Sequence, residues 1–234
     1  MSDCAFRTLL LDIEGTVAPI RFVTDVLFPY ARKYLAAFLD ARWSEPSIRD
    51  VLRQVSLDAG GIEFSRESIV AHLLSLMDRD AKATGLKALQ GMVWEQGYAE
   101  GTLRSTLFAD VAPALRALHA RGVDLRIYSS GSIAAQKLFF AHTADGDLTP
   151  LLSGYYDTTT GAKQEAESYR RIAERIGRPA GDVLFVSDVA AELLAAREAG
   201  MQTRLAVRPG NRPTPENCFA RIESLDEILQ NPPA

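Results

Sequence analysis

Two carboxylates, Asp12 and Glu14, stand two positions apart where the apolar run from Phe6 to Leu11 ends, just before Gly15. Carboxylates held this close can share a divalent cation, which offsets their repulsion, or divide the roles of nucleophile and proton carrier. Taken alone, an Asp-x-Glu pair more often marks a solvated turn. Three further elements, met in order along the chain, shift the balance.

Ser129-Ser130-Gly131-Ser132 follows the apolar stretch Leu125 to Tyr128 and precedes a helical pattern. Hydroxyls and free backbone N–H groups at a helix start suit a phosphate, although the same run is also an ordinary capping loop. Lys163, in Thr-Gly-Ala-Lys-Gln-Glu, falls at the expected start of a helix. A cation opposes the helix dipole there unless it serves a bound anion; in isolation a surface lysine is an equal reading. Asp188 closes a third apolar run, Leu-Phe-Val-Ser, with Glu192 one helical turn later. A carboxylate at that strand end can complete the all-oxygen site that Mg²⁺ prefers; for Glu192 the role stays open between a site acid and simply an acid of a helix N-terminus.

Aspartate, serine, lysine and aspartate need a scaffold that delivers each to one edge. The residues predict strands over Phe6–Leu11, Val123–Tyr128, Tyr155–Thr158, Val183–Ser187 and Thr203–Val207. Helices are expected between them over Val111–Arg121, Ile133–His142, Gln164–Ile176 and Ala190–Ala199. Such alternation implies a mostly parallel, doubly wound α/β sheet, whose sites lie at the C-terminal strand edge. Between Thr24 and Thr102 only helical periods occur, through Leu35, Ile48, Leu73 and Leu89 among others, with Ser44 and Ser65 as expected N-caps. The reading is an α/β core of residues 1–20 plus 104–234, split by an all-helical cap domain over 21–103. A Pro/Gly/Asn-rich loop is expected at Arg208 to Pro215, and a frayed Pro-Pro-Ala tail ends the chain.

A chain of 234 residues is long enough for a full core. A net charge of -4 gives no basic footprint for nucleic acid or an anionic membrane, so a small-molecule ligand is expected. Cys4 and Cys218 stand in no metal or disulfide spacing, and the N-terminus carries no signal pattern; the expectation is a cytoplasmic protein with free thiols. His72, His119 and His142 sit inside helical patterns away from the four elements and read as structural.

The order and context resemble the four motifs of haloacid-dehalogenase-like (HAD) hydrolases. Asp-Ile-Glu-Gly-Thr, Phe-Val-x-Asp-Val-Leu-Phe-Pro-Tyr, Leu-Gln-Gly-x-x-Trp, Tyr-Ser-Ser-Gly-Ser-x-x-Ala-Gln-Lys-Leu-Phe-Phe and Ser-Asp-Val-x-x-Glu-Leu are similar to the enolase-phosphatase E1 family, over about Leu9 to Asn211. Glu14, where most HAD hydrolases carry Asp, and the Phe22–Tyr30 run narrow the match; Val17 and Ala18 depart from it, standing where relatives often have Thr or Ser. The resemblance implies a HAD-like core with an inserted cap and one Mg²⁺ per chain bound by Asp12, Glu14 and Asp188. Ser129, Ser130 and Lys163 would hold the substrate phosphate. Asp12 would be the nucleophile, Glu14 the proton carrier, and Lys163 a cation neutralising the transferring phosphoryl group.

The implied activity is a monomeric, bifunctional enzyme of methionine salvage. It would enolise 2,3-diketo-5-methylthiopentyl-1-phosphate and then dephosphorylate it to the acireductone, through an aspartyl-phosphate. The cap would exclude water and read the methylthio chain, with Ile20, Phe22, Trp94 and Tyr98 as candidate contacts, each equally well explained as core. A phosphatase for another small phosphorylated metabolite shares every core motif. A metal-free dehalogenase and a signalling receiver are less well matched: Glu14 and Asp188 speak against the first, length and the helical insertion against the second.

Overall fold

The structure is a computed structural model that describes residues 6–213 and 219–230. Cys4, Cys218, the end of the Arg208–Pro215 loop and the C-terminal tail lie outside the described residues. The chain divides into two compact units, one of residues up to Phe22 together with Arg104 onward, the other of Val23–Leu103.

The first unit is a six-stranded parallel sheet in the order β3-β2-β1-β4-β5-β6. Its members are β1 (Thr8–Leu11), β2 (Asp124–Tyr128), β3 (Leu152–Tyr156), β4 (Val183–Ser187), β5 (Gln202–Ala206) and β6 (Arg221–Ile222). β1 and β4 are buried along their whole length and pair in register, Leu9 beside Leu184 and Leu11 beside Val186. Continuous apolar strands are what a parallel sheet covered on both faces requires. The chain leaves β1 for β2 and β3 on one side, then returns to place β4 on the other. The sheet therefore opens between the C-terminal ends of β1 and β4, the switch point where such folds build their sites.

Helices α6 (Val111–Ala120), α7 (Ile133–Ala141), α8 (Ala166–Ile176) and α9 (Ala190–Glu198) cover the faces. On α8, Tyr169, Ile172 and Ala173 form the buried stripe, against Tyr128, Phe185 and Leu193 of the core. Spaced three and four apart, these residues occupy one helix face.

The second unit enters through the short helix α1 (Ile20–Phe22) of the first unit and a π-helical turn, Val23–Leu27. It holds α2 (Phe28–Arg42), α3 (Pro46–Asp58), α4 (Arg66–Asp78) and α5 (Thr84–Ala99) around a core that includes Leu35, Ile48, Leu73 and Leu89. No strand occurs there among the described residues. Ser65 caps α4 by accepting from Ser68 N at 3.2 Å. Ser44 does not cap α3: Glu45 holds that position and Pro46 starts the helix, a place where proline loses no hydrogen bond.

Two more expectations are corrected, and one segment without an expectation gains its structure. The strand predicted at Tyr155–Thr158 is β3, Leu152–Tyr156. It stops because Asp157 Oδ1 turns back to accept from Thr159 N (2.9 Å) and Thr159 Oγ1 (2.6 Å), an Asx turn that ends pairing. Lys163 does not begin a helix: Glu165 N bonds Ala162 O at 3.1 Å, closing a turn around it, and α8 starts at Ala166. The C-terminal segment, unassigned from sequence, forms β6 and α10 (Asp226–Gln230).

Candidate active site

Asp12 follows β1 and is locked to the neighbouring strand, its N–H donating to Val186 O at 3.0 Å. The chain then folds on itself, because Ile13 O accepts from Thr16 N (3.2 Å), Val17 N (2.9 Å) and Ala18 N (2.9 Å). Gly15 makes the turn with φ +72, and a Cβ there would lie 2.3 Å from Asp188 Oδ2. Only glycine allows both the left-handed backbone and the approach of Asp188 from the end of β4. Two side chains from beyond β5 hold this loop: Arg208 Nε donates to Thr16 O (2.9 Å) and Asn211 Nδ2 to Gly15 O (2.9 Å). Arg208 is buried and pairs doubly with Asp110, at 3.0 and 2.9 Å, a fixed fork that leaves it little freedom.

Lys163 is also buried, 7% exposed, with Nζ 2.7 Å from both Asp12 Oδ1 and Glu192 Oε2. The loop carrying it is tied by four consecutive carbonyls, each accepting from a different side chain. Arg171 bonds Thr160 O (3.2 Å), Tyr128 OH bonds Gly161 O (2.9 Å), Ser168 Oγ bonds Ala162 O (2.7 Å) and Tyr169 OH bonds Lys163 O (2.7 Å). At Gly161, φ +149, a Cβ would lie 2.1 Å from Ser168 Oγ, so glycine is needed for that tie.

Ser129 follows β2, is fully buried, and its Oγ donates to Glu14 Oε2 at 3.2 Å while accepting from Gly131 N at 3.2 Å. Ser130 is exposed on the same loop. Gln136, from α7, braces the loop through Nε2, at 2.8 Å from both Gly131 O and Tyr156 O. The structure thus joins Asp12 to Lys163, Glu14 to Ser129, and Asp188 to the Gly15 turn.

Charge in this cluster is unevenly compensated. Burial disfavours the Lys163 ammonium, but Asp12 and Glu192 more than offset it and hold it above the ordinary lysine range. Burial and then the charge of Asp12 raise Glu14. The same two causes push Asp188 and Glu192 up to about 7. One cation among four carboxylates leaves the group short of positive charge.

The donors fit a hard divalent ion. Asp12 Oδ1 is buried with the Lys163 ammonium 2.7 Å away, and Asn211 Oδ1 is buried with no hydrogen-bond partner. All are oxygens, as Mg²⁺ requires. Among the described residues no three His, Cys, Asp or Glu side chains converge as a ready-made cage. Lys163 stands between Asp12 and Glu192, and Glu14 is turned to Ser129. Mg²⁺ does not need a cage, since one or two carboxylates and several waters commonly bind it.

Glu192, whose role the sequence left open, belongs to the cluster. It is 8% exposed and tied by Ser187 Oγ (2.9 Å) as well as by Lys163. Its position within the first turn of α9, after a strand-end aspartate, was the available signal. Of the four apolar candidates, Phe22, Trp94 and Tyr98 have packing roles within their own units. Phe22 is buried edge-on to Phe139 at 5.7 Å, next to partly buried Ile20; Trp94 bonds Leu27 O (2.8 Å) and stacks on Phe28; Tyr98 is buried. No helix among the described residues is long and apolar enough to cross a membrane.

The model of the haloacid dehalogenase-like hydrolase family matches residues 6–200. Among curated proteins, the enolase-phosphatase E1 of Stenotrophomonas maltophilia (strain K279a) is 48% identical over 228 residues, covering 95% of this chain and 98% of that one. The enolase-phosphatase E1 of Pseudomonas aeruginosa (strain UCBPP-PA14) is 50% identical over 204 residues, covering 87% and 91%. Among solved structures, the UTR4 protein (Unknown transcript 4 protein) of Saccharomyces cerevisiae superposes with a TM-score of 0.82 at 38% identity, over 94% of this chain and 98% of that chain.

Proposed function

The chain belongs to the enolase-phosphatase E1 family of haloacid dehalogenase-like hydrolases, and on that premise we propose how its strand-edge cluster works. The substrate is 2,3-diketo-5-methylthiopentyl-1-phosphate. It is enolised, then dephosphorylated to 1,2-dihydroxy-3-keto-5-methylthiopentene and inorganic phosphate. The observation that carries this reading is the joining of Asp12, Glu14, Ser129 and Lys163 at the sheet's switch point, through the Asp12–Lys163 pair at 2.7 Å and the Ser129–Glu14 bond at 3.2 Å.

One Mg²⁺, held by Asp12, Glu14 and Asp188, would supply Lewis-acid polarisation and neutralise developing charge. Asp12 attacks phosphorus in line: a carboxylate oxygen bonds to phosphorus as the bond to the enol oxygen breaks. Lys163 stabilises the equatorial oxygens, and Ser129 and Ser130 hold the phosphoryl group. Glu14, raised by burial and Asp12, carries the proton the departing oxygen needs. It then takes a proton from the water that attacks phosphorus, freeing phosphate and returning Asp12 to its carboxylate. Residues 21–103 are the inserted cap domain in this reading. We place the protein in the cytoplasm as a monomer, which light scattering of the purified chain would check.

The test is to mix protein, the diketo phosphate and Mg²⁺ and to record enol absorbance and phosphate release separately. The proposal expects absorbance from the phosphorylated enol to rise first and then give way to that of the enediol product as phosphate is released stoichiometrically. Phosphate without any enol signal, or turnover of other phosphate esters alone, would point to a simple phosphatase.

A further inference from the structure

Asn211 offers two faces to the site. Its Nδ2 lies 2.9 Å from Gly15 O and 3.5 Å from Ala206 O, both acceptors. A flipped amide would set its oxygen against two carbonyls, so the orientation is fixed by chemistry. Oδ1 must then point the other way, where it is buried without a hydrogen-bond partner. The position that a Cβ on Gly15 would take lies 3.1 Å from this oxygen and 2.3 Å from Asp188 Oδ2. Two acceptors thus converge over the bare face of Gly15, and no donor is among the nearest atoms there. A buried amide oxygen left unsatisfied costs about 1–3 kcal/mol, so its position calls for a donor from outside the protein.

We propose that Asn211 is a positioning residue of the metal site, whose Oδ1 accepts a hydrogen bond from a water carried by the Mg²⁺ at Asp188, while its Nδ2 fixes the loop bearing Glu14. Mg²⁺ keeps several of its waters, and those waters are strong donors that need acceptors outside the coordination sphere. Asn211 is neutral, so it orders a water without adding charge to a group already rich in carboxylates. The inference rests on the Mg²⁺ reading of the site.

The experiment titrates Mg²⁺ alone into the metal-stripped protein by calorimetry and reads the metal-free melting temperature in parallel. Asn211→Ala should weaken Mg²⁺ binding about tenfold, in the range seen for outer-shell partners. Asn211→Asp keeps an acceptor and loses the donor to Gly15 O; it should bind Mg²⁺ within about threefold of wild type. Both variants should melt a few degrees lower without metal, which reports the loop tie alone. Unchanged Mg²⁺ affinity in Asn211→Ala, or an equal loss in both variants, would overturn the role of Oδ1. Asp188→Asn separates the two levels. If Mg²⁺ binding does not depend on Asp188, the metal site itself is wrong; if it does and Asn211→Ala binds normally, only the inference about Asn211 fails.

Discussion

Glu192 holds Lys163 Nζ at 2.7 Å, the same distance at which that ammonium meets Asp12. One buried cation is therefore shared by an acid from β1's end and an acid from α9, and its removal exposes both to each other. Lys163→Ala should destabilise the protein by about 3 kcal/mol at neutral pH, because breaking a buried pair leaves uncompensated charge. Glu192→Gln keeps Asp12 as the partner of Lys163 and should cost about 1 kcal/mol or less. Urea unfolding of the two variants measures the difference; equal losses would contradict the shared-cation arrangement.

Asp188 and Glu192 are acids held up at about 7, against ordinary values of 3.8 and 4.5. As pH rises the unfolded chain gives up these protons first, so their contribution to stability is greatest below about pH 4 and declines toward pH 7. In metal-stripped protein, Asp188→Asn removes its share of that decline. Its melting temperature should match wild type near pH 4.5 and exceed it by about 3 °C at pH 8, a modest shift because Asp188 is only partly buried. Scanning calorimetry across that interval decides, and a difference that stays flat with pH would contradict the repulsion described above.

The Lys163 loop depends on hydroxyls that touch only its backbone. Tyr169→Phe removes one oxygen from a buried ring and leaves Lys163 O without its donor. The expected cost is about 1–3 kcal/mol of stability, with phosphate release lowered about tenfold and substrate affinity little changed, since geometry rather than charge is lost. Steady-state kinetics that show a raised KM with unaltered kcat would argue that the tyrosine does not position the lysine.

The alternation of apolar runs and helical periods was enough to identify a parallel, doubly wound sheet, because parallel strands buried on both faces leave an unmistakable signature; the order of the strands came from the structure. Their boundaries agree with the structure to within two residues, except at the start of β3, which lies three residues before the expected Tyr155. Asp12, Glu14, Ser129 and Asp188 were legible for the same reason: each closes or follows an apolar run. Lys163 was visible as a residue but not as a place, since the turn at Ala162–Glu165 is set by bonds from Tyr169 and Ser168 on the next helix. Glu192, Arg208 and Asn211 depend on contacts across 29 to 196 positions of chain, which no local pattern encodes. The two-residue strand β6 is too short to show a period at all.

Asp12 sits at the centre of the proposed chemistry, and the most direct measurement is phosphate release by purified Asp12→Asn with saturating diketo phosphate and Mg²⁺. The amide is isosteric and keeps Lys163 within reach, but it cannot form the bond to phosphorus. Release should fall at least about a thousandfold while the melting temperature stays near that of wild type. Release within about tenfold of the wild-type rate would mean that another group attacks phosphorus.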